Sequence, residues 1–153
     1  MRYLAQQGHT MVGVDCDAQA ISAVASLGEA IEADIENAAW PLPHRQFGAV
    51  VVTNYLWRPL WPSLLNSLAA GGVLIYETFA AGNETVGKPS RPDFLLHPGE
   101  LLSRCADLRV VAYEDGFLSN PERFVQRIVA IQIQATSPFV QRFDLSPSLH
   151  SLE

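Results

Sequence analysis

Cysteine is scarce in this chain: Cys16 and Cys105 are the only two in 153 residues, and their spacing suits no metal site. That excludes a disulfide-stapled scaffold and a zinc ribbon, and it points to reduced thiols in a reducing compartment. Basic residues are also few. Ten Lys and Arg stand against sixteen Asp and Glu, giving a net charge of −6, and no run of Lys or Arg occurs. Nothing here would track a phosphate backbone or an anionic bilayer, so neither nucleic acid nor membrane is expected as a partner. No apolar stretch reaches the roughly 18 residues of a membrane span. No charged-then-apolar leader opens the sequence, which makes the cytoplasm the expected compartment. Internal repeats are missing, and no composition shift marks a domain boundary. His9 and His44 fall in turns without partners at metal-ligand spacing, so no metal is expected.

What remains is an ordinary globular composition, 48% hydrophobic and 17% charged, in a chain long enough for one good core. Tyr3-Leu4-Ala5-Gln6-Gln7 reads as a short helix broken at Gly8. Met11-Val12-Gly13-Val14-Asp15 is an apolar strand that ends on a carboxylate. Ile21, Val24 and Leu27, closed by Gly28, predict a helix with a glycine cap. Ala30-Ile31-Glu32-Ala33-Asp34 is a half-polar strand suited to an edge. Phe47 to Thr53 is a β-branched run of the kind buried on both faces of a parallel sheet. Trp61, Leu64, Leu65 and Leu68 lie at helical spacing, and Gly71-Gly72 reads as the stop. Val73 to Glu77 predicts another buried strand.

Ala81 to Asp93 is rich in Gly, Pro, Asn and Ser, which marks a loop and a candidate lid. His97-Pro98-Gly99-Glu100 opens a helix striped by Leu101, Cys105 and Leu108. Leu108 to Tyr113 and Phe124 to Gln134 close the chain as two strands, joined too tightly for a crossover and therefore antiparallel. Alternation of this kind predicts an α/β fold with a mostly parallel sheet, covered on both faces and finished by an antiparallel pair.

In nucleotide-binding α/β folds, a strand ending like Val14-Asp15 is the second one, and its acid accepts hydrogen bonds from ribose hydroxyls. The full pattern resembles the class I S-adenosylmethionine-dependent methyltransferases over residues 1 to about 135. The matching parts are Gly13-Val14-Asp15, Ala33-Asp34-Ile35-Glu36, the strand Phe47 to Leu56, and Leu68-Ala69-Ala70-Gly71-Gly72-Val73-Leu74 running on to Glu77. Asn54-Tyr55-Leu56-Trp57-Arg58-Pro59 resembles the small-molecule, tellurite-resistance-like branch. The resemblance implies a Rossmann-like doubly wound domain over 1–136, truncated at its N-terminus, with a polar tail over 137–153. It also implies S-adenosylmethionine as cofactor and a small molecule as methyl acceptor. One part has no counterpart: the family's D/E-x-G-x-G-x-G cofactor loop, with the strand before it.

By that resemblance, Asp15 and its neighbour Cys16 meet the ribose, Asp34 pairs with the adenine amino group, Ile35 backs the ring, and Asn54 lies at the cofactor's edge. Tyr55, Trp57, Phe79 and His97 would surround the acceptor. Plainer readings stand beside these. Asp15 would simply cap the next helix, Asp34 would be a solvated edge acid, and Trp61 would be core. His97 would be only a helix-start residue. With the cofactor loop missing, three functional classes remain: a methyltransferase, a non-catalytic module with that fold, and a nicotinamide-dependent oxidoreductase. The last fits Asp15 but neither Asp34 nor the final antiparallel pair. If the central strand is missing, the strands ending at Asp15 and Asn54 are expected to pair directly or to be covered by self-association through their exposed edges.

Overall fold

A computed structural model describes residues 1–133. The elements run α1 (Arg2–Gln6), β1 (Val12–Asp15), α2 (Ala18–Val24), β2 (Glu29–Glu32), β3 (Phe47–Thr53), α3 (Trp61–Asn66), β4 (Leu68–Phe79), α4 (Glu100–Arg104), β5 (Arg109–Ser119) and β6 (Glu122–Ile131). This is the predicted order, element for element. The chain forms two compact units, one of Met1–Gln46 with Trp57–Ser67, the other of Phe47–Leu56 with Leu68 onward. The expected polar tail over 137–153 and the strand end at Gln134 lie outside the described residues.

In the first unit, β1 and β2 run parallel, with Val12 opposite Glu29 and Asp15 opposite Glu32. The helix between them starts where the side chain of Asp17 accepts a hydrogen bond from the Gln19 amide at 2.8 Å, satisfying one of the orphan donors of the first turn. A short 3₁₀ turn over Ala25–Leu27 returns the chain to β2. Gly28 follows because a Cβ there would collide with the Met11 carbonyl oxygen. Gly28 caps the 3₁₀ turn, as the sequence predicts, and close backbone approach also demands glycine there. Leu42, Leu60, Trp61 and Leu64 are buried, so Trp61 is a core residue.

The second unit is a four-stranded sheet in the order β3-β4-β6-β5. β3 and β4 are parallel, while β6 is antiparallel to both β4 and β5. β5 and β6 meet in a tight turn at Asn120-Pro121, with Ser119 opposite Glu122. The antiparallel finish is therefore as the sequence predicts. Leu68 differs: it opens β4 instead of ending α3. Phe47 faces Leu68 while Ala49 faces Val73, so Ala69 to Gly72 bulge out of the ladder. Gly71 has φ of 77°, and a Cβ on Gly72 would sit 2.8 Å from the Ala69 carbonyl oxygen. The glycine pair makes a bulge inside a strand, not a helix stop.

α4 and the segment before it cover one face of this sheet. Leu74, Tyr76, Ile128 and Ala130 are buried there together with Leu96, Leu101 and Cys105. Alternation along the strands turns Val51 and Ile75 to the other face. They are 43% and 40% exposed. Among the described residues, β1 pairs with β2 and β3 with β4, and no ladder joins the strands that end at Asp15 and Asn54.

Candidate functional site

The carboxyl ends of β1 and β2 bring two acids to one place. Asp15 is the last residue of β1, and its carbonyl accepts from the Ala33 amide at 2.9 Å, one residue before Asp34. Asp15 is exposed; its Oδ1 accepts from the Asp17 amide at 3.0 Å. Its Oδ2 has no hydrogen-bond partner among the described residues. The helix-capping role falls to Asp17 instead of Asp15. One reason to read Asp15 as merely structural is thereby removed.

Asp34 is held by its own turn. Its Oδ1 accepts from the amides of Glu36 at 3.0 Å and Asn37 at 3.1 Å, and its Oδ2 from the Asn37 side chain at 2.9 Å. The Asn37 side chain and these two amides hold its pKa below the usual aspartate value. It is anionic at neutral pH. Each carboxylate oxygen has a second lone pair, so Oδ2 can still accept from a ligand. Cys16 is an exposed free thiol beside Asp15, and Ile35 is half-buried beside Asp34.

The second group of candidates gathers at the carboxyl ends of β3 and β4. Asn54, with φ of 53°, takes the left-handed conformation that asparagine tolerates, and its amide donates to the Glu77 carbonyl at 2.9 Å. Tyr55 is half-buried, and its carbonyl accepts from the buried Tyr76 hydroxyl at 2.7 Å. Half-buried Phe79 accepts from the Leu96 amide at 3.0 Å, which places His97 next to the strand end. His97 is exposed, but its backbone is pinned: the amide donates to Glu100 Oε2 at 3.0 Å and the carbonyl accepts from Gln126 Nε2 at 2.7 Å. Trp57 belongs to the other unit, where it is half-buried and precedes the 3₁₀ turn Arg58–Leu60.

The loop read as a lid is anchored. Ala80 pairs with Leu96 at its neck. Inside it, Asn83 is 1% exposed, donates to the Pro89 carbonyl at 2.9 Å and accepts from the Phe124 amide at 3.2 Å. A buried, doubly bonded asparagine makes this a compact loop instead of a swinging flap.

Two features went unseen in the sequence. Glu77, Arg127 and Glu114 face one another across three strands, with Arg127 3.1 Å from each acid and Arg123 3.4 Å from Glu77. Only the register reveals that charge row. The first unit also holds a cavity of about 490 Å³ lined by Trp40, Leu42, His44, Ser63 and Asn66 among others. Arg45 on its wall bridges Glu29, the first residue of β2, at 2.8 Å. The cavity therefore lies at the opposite end of the strands from Asp15 and Asp34. Among the described residues, no group of three or more His, Cys, Asp or Glu could hold a metal, and no helix is long and apolar enough to cross a membrane.

Parallel strands followed by an antiparallel closing pair form a Rossmann-like α/β fold. The solved structures it resembles include SAM-dependent methyltransferases. TehB from Haemophilus influenzae superposes with a TM-score of 0.66 at 18% identity over 86% of this chain, and the chain spans about half of it, 52%. A SAM-dependent methyltransferase from Methanosarcina mazei gives a TM-score of 0.63 at 12% identity, covering 86% of both chains. The N-methyltransferase NodS from Bradyrhizobium japonicum gives 0.60 at 14% identity, covering 82% of this chain and 74% of the other. At such identities the likeness is one of fold. No protein-family model and no curated protein sequence matches the chain.

Proposed function

We propose that this is a methyltransferase-like protein that binds S-adenosylmethionine, and that the ends of β1 and β2 hold the adenosine half of the cofactor. The observation that carries the reading is the pair of exposed carboxylates, Asp15 and Asp34, at the carboxyl ends of two adjacent parallel strands. The donor set suits that half. Asp15 Oδ2 is open to ribose hydroxyls, and Asp34 stays ionised to accept from the adenine amino group. Ile35 offers an apolar edge to the ring, with Cys16 as the further contact that the family resemblance implies.

When bound, the cofactor supplies a methyl group on a sulfonium, so the protein's task is to align the acceptor and exclude water, not to furnish an acid–base pair. Tyr55 and Phe79 would provide apolar walls for a small acceptor, and His97 a nearby base. Asn54 to Pro59 supports placing that acceptor chemistry in the tellurite-resistance-like branch, acting in the cytoplasm.

The second reading is a non-catalytic module that holds an adenosyl ligand without transferring its methyl group. Isothermal titration with S-adenosylhomocysteine tests what both readings share. Saturable heat that disappears in Asp15→Ala supports the site. An unchanged isotherm in that variant, or no heat with the wild type, rejects it. A methyl-transfer assay on the wild type then separates enzyme from module.

A further inference from the structure

We propose that Arg123 is the specificity-determining residue of the acceptor site, where it anchors the methyl acceptor by a carboxylate group. This deepens the methyltransferase reading and rests on it. Every residue involved belongs to the second unit. Glu77 lies opposite Arg127 and Phe79 opposite Val125, while Arg127, Val125 and Arg123 lie opposite Glu114, Gly116 and Leu118. Residues directly opposite one another share a face of the sheet, and so do alternate residues of one strand. Arg123 therefore stands on the same face as Phe79 and is its diagonal neighbour, a spacing that long side chains bridge. Phe79 is the last residue of β4, at the carboxyl end where the acceptor candidates gather.

The ion pairs on this face are unequal. Arg127 serves both acids, with Nε 3.1 Å from Glu77 and Nη1 3.1 Å from Glu114. Arg123 reaches Glu77 alone, and its Nη2 stands 3.4 Å away. Charge-assisted hydrogen bonds to carboxylates run about 2.7–2.9 Å, so this contact is not one. The Nε of Arg123 is buried and has no hydrogen-bond partner among the described residues. A guanidinium carries several donors, and with 27% of this side chain exposed, water can serve few of them. The group that would complete Arg123 is an acceptor of opposite charge.

Its surroundings select the kind of acceptor. A planar fork of N–H donors matches a carboxylate bidentately. Glu77 repels a second negative charge at this distance, which favours a singly charged carboxylate over a phosphate. Phe79, the buried Val125 and Leu118 offer an apolar floor for the rest of the ligand. Gly116 leaves room above it, because no described residue comes within 4 Å of the place its Cβ would take. The ligand class is a small monocarboxylate with an apolar body.

Benzoate is the probe, titrated into the full chain at constant ionic strength while the arginine Nε–H signals are followed by proton–nitrogen NMR. The Arg123 signal should shift saturably, and benzamide, the neutral isostere, should leave it in place. Arg123→Lys keeps the charge but loses the fork, and should weaken binding at least about tenfold, read on the Leu118 and Val125 amides. Glu77→Gln removes the competing carboxylate and should tighten binding, which keeps the proposal testable if the arginine variant misfolds. No saturable shift with benzoate overturns the proposal. So do equal shifts with benzamide, an affinity unchanged in Arg123→Lys, or weaker binding in Glu77→Gln. Methionine that moves the Arg123 signal at lower concentration than benzoate also overturns it, giving the residue to the cofactor's own carboxylate. The titration contains no cofactor, so it fails or succeeds apart from the S-adenosylhomocysteine isotherm. Benzoate bound where that isotherm shows no heat would keep the carboxylate site and remove the methyltransferase reading.

Discussion

Replacing Gln126 by methionine should destabilise the protein by about 2–4 kcal/mol. Gln126 lies on β6 with no exposed surface. Its Oε1 accepts from the Leu101 amide at 3.2 Å, and its Nε2 donates to the His97 carbonyl at 2.7 Å. Methionine is close in volume and fills the space without either bond. The two lost bonds are not equivalent. The His97 carbonyl keeps a second donor, the Glu100 amide at 2.9 Å, so its loss is about 0.5–1.5 kcal/mol. The buried Leu101 amide would lose the side-chain acceptor that serves it, at a desolvation penalty of about 1–3 kcal/mol. For a chain of this length the sum corresponds to a fall in Tm of about 10 °C. Thermal and urea unfolding of Gln126→Met, with exposed Gln6→Met as control, measure it. A change within about 0.5 kcal/mol of wild type would refute the reasoning, because surface substitutions are that mild. The same variant should loosen His97, visible as faster hydrogen exchange at its neighbours.

Three other outcomes follow from the chemistry of single groups. Burial pushes the Cys105 thiol up to about 11, so at pH 8 only about one molecule in a thousand is thiolate. Ellman's reagent should therefore find one fast thiol, the exposed Cys16, with a second appearing only on unfolding; two fast thiols would contradict the packing. Burial and then the neighbouring Asp115 carboxylate raise Tyr113 to about 12. Its stabilising contribution is complete below the ordinary tyrosine pKa near 10 and is lost as pH climbs from about 10 to 12. Asp115→Asn should move the late phase of the absorbance titration at 295 nm to lower pH, and an unmoved phase would assign the shift to burial alone. Gly28→Ala forces a Cβ against the Met11 carbonyl and should cost at least about 2 kcal/mol in urea unfolding; a neutral result would show that β1 and β2 can part without penalty.

The order of elements was legible because most elements carry an unambiguous local signal. Phe47 to Thr53 is uncharged and β-branched, and no helix competes for it. Asp15 and Asp34 were legible as strand-end acids from the polarity change at each strand's close. Leu68 was not. Its spacing from Trp61, Leu64 and Leu65 fits a helical stripe, yet β4 claims it once Gly71 and Gly72 are free to bulge. Tertiary pairing overrode local periodicity there. Buried Gln126 and Asn83 were illegible for a different reason: a polar residue reads as surface until its buried partners are known. The Glu77–Arg127–Glu114 row depends on the register of three strands, which no linear pattern encodes. In the candidate site, the sequence could point to Asp15 and Asp34, but the transfer of the capping role to Asp17 came from hydrogen-bond geometry.

The central claim is that this chain recognises adenosine at the carboxyl ends of β1 and β2. Saturation-transfer NMR of the chain with adenosine alone tests it most directly. The account predicts transfer to the adenine and ribose protons, lost in Asp15→Ala. No transfer to adenosine, or adenosine transfer indifferent to Asp15→Ala, would contradict it.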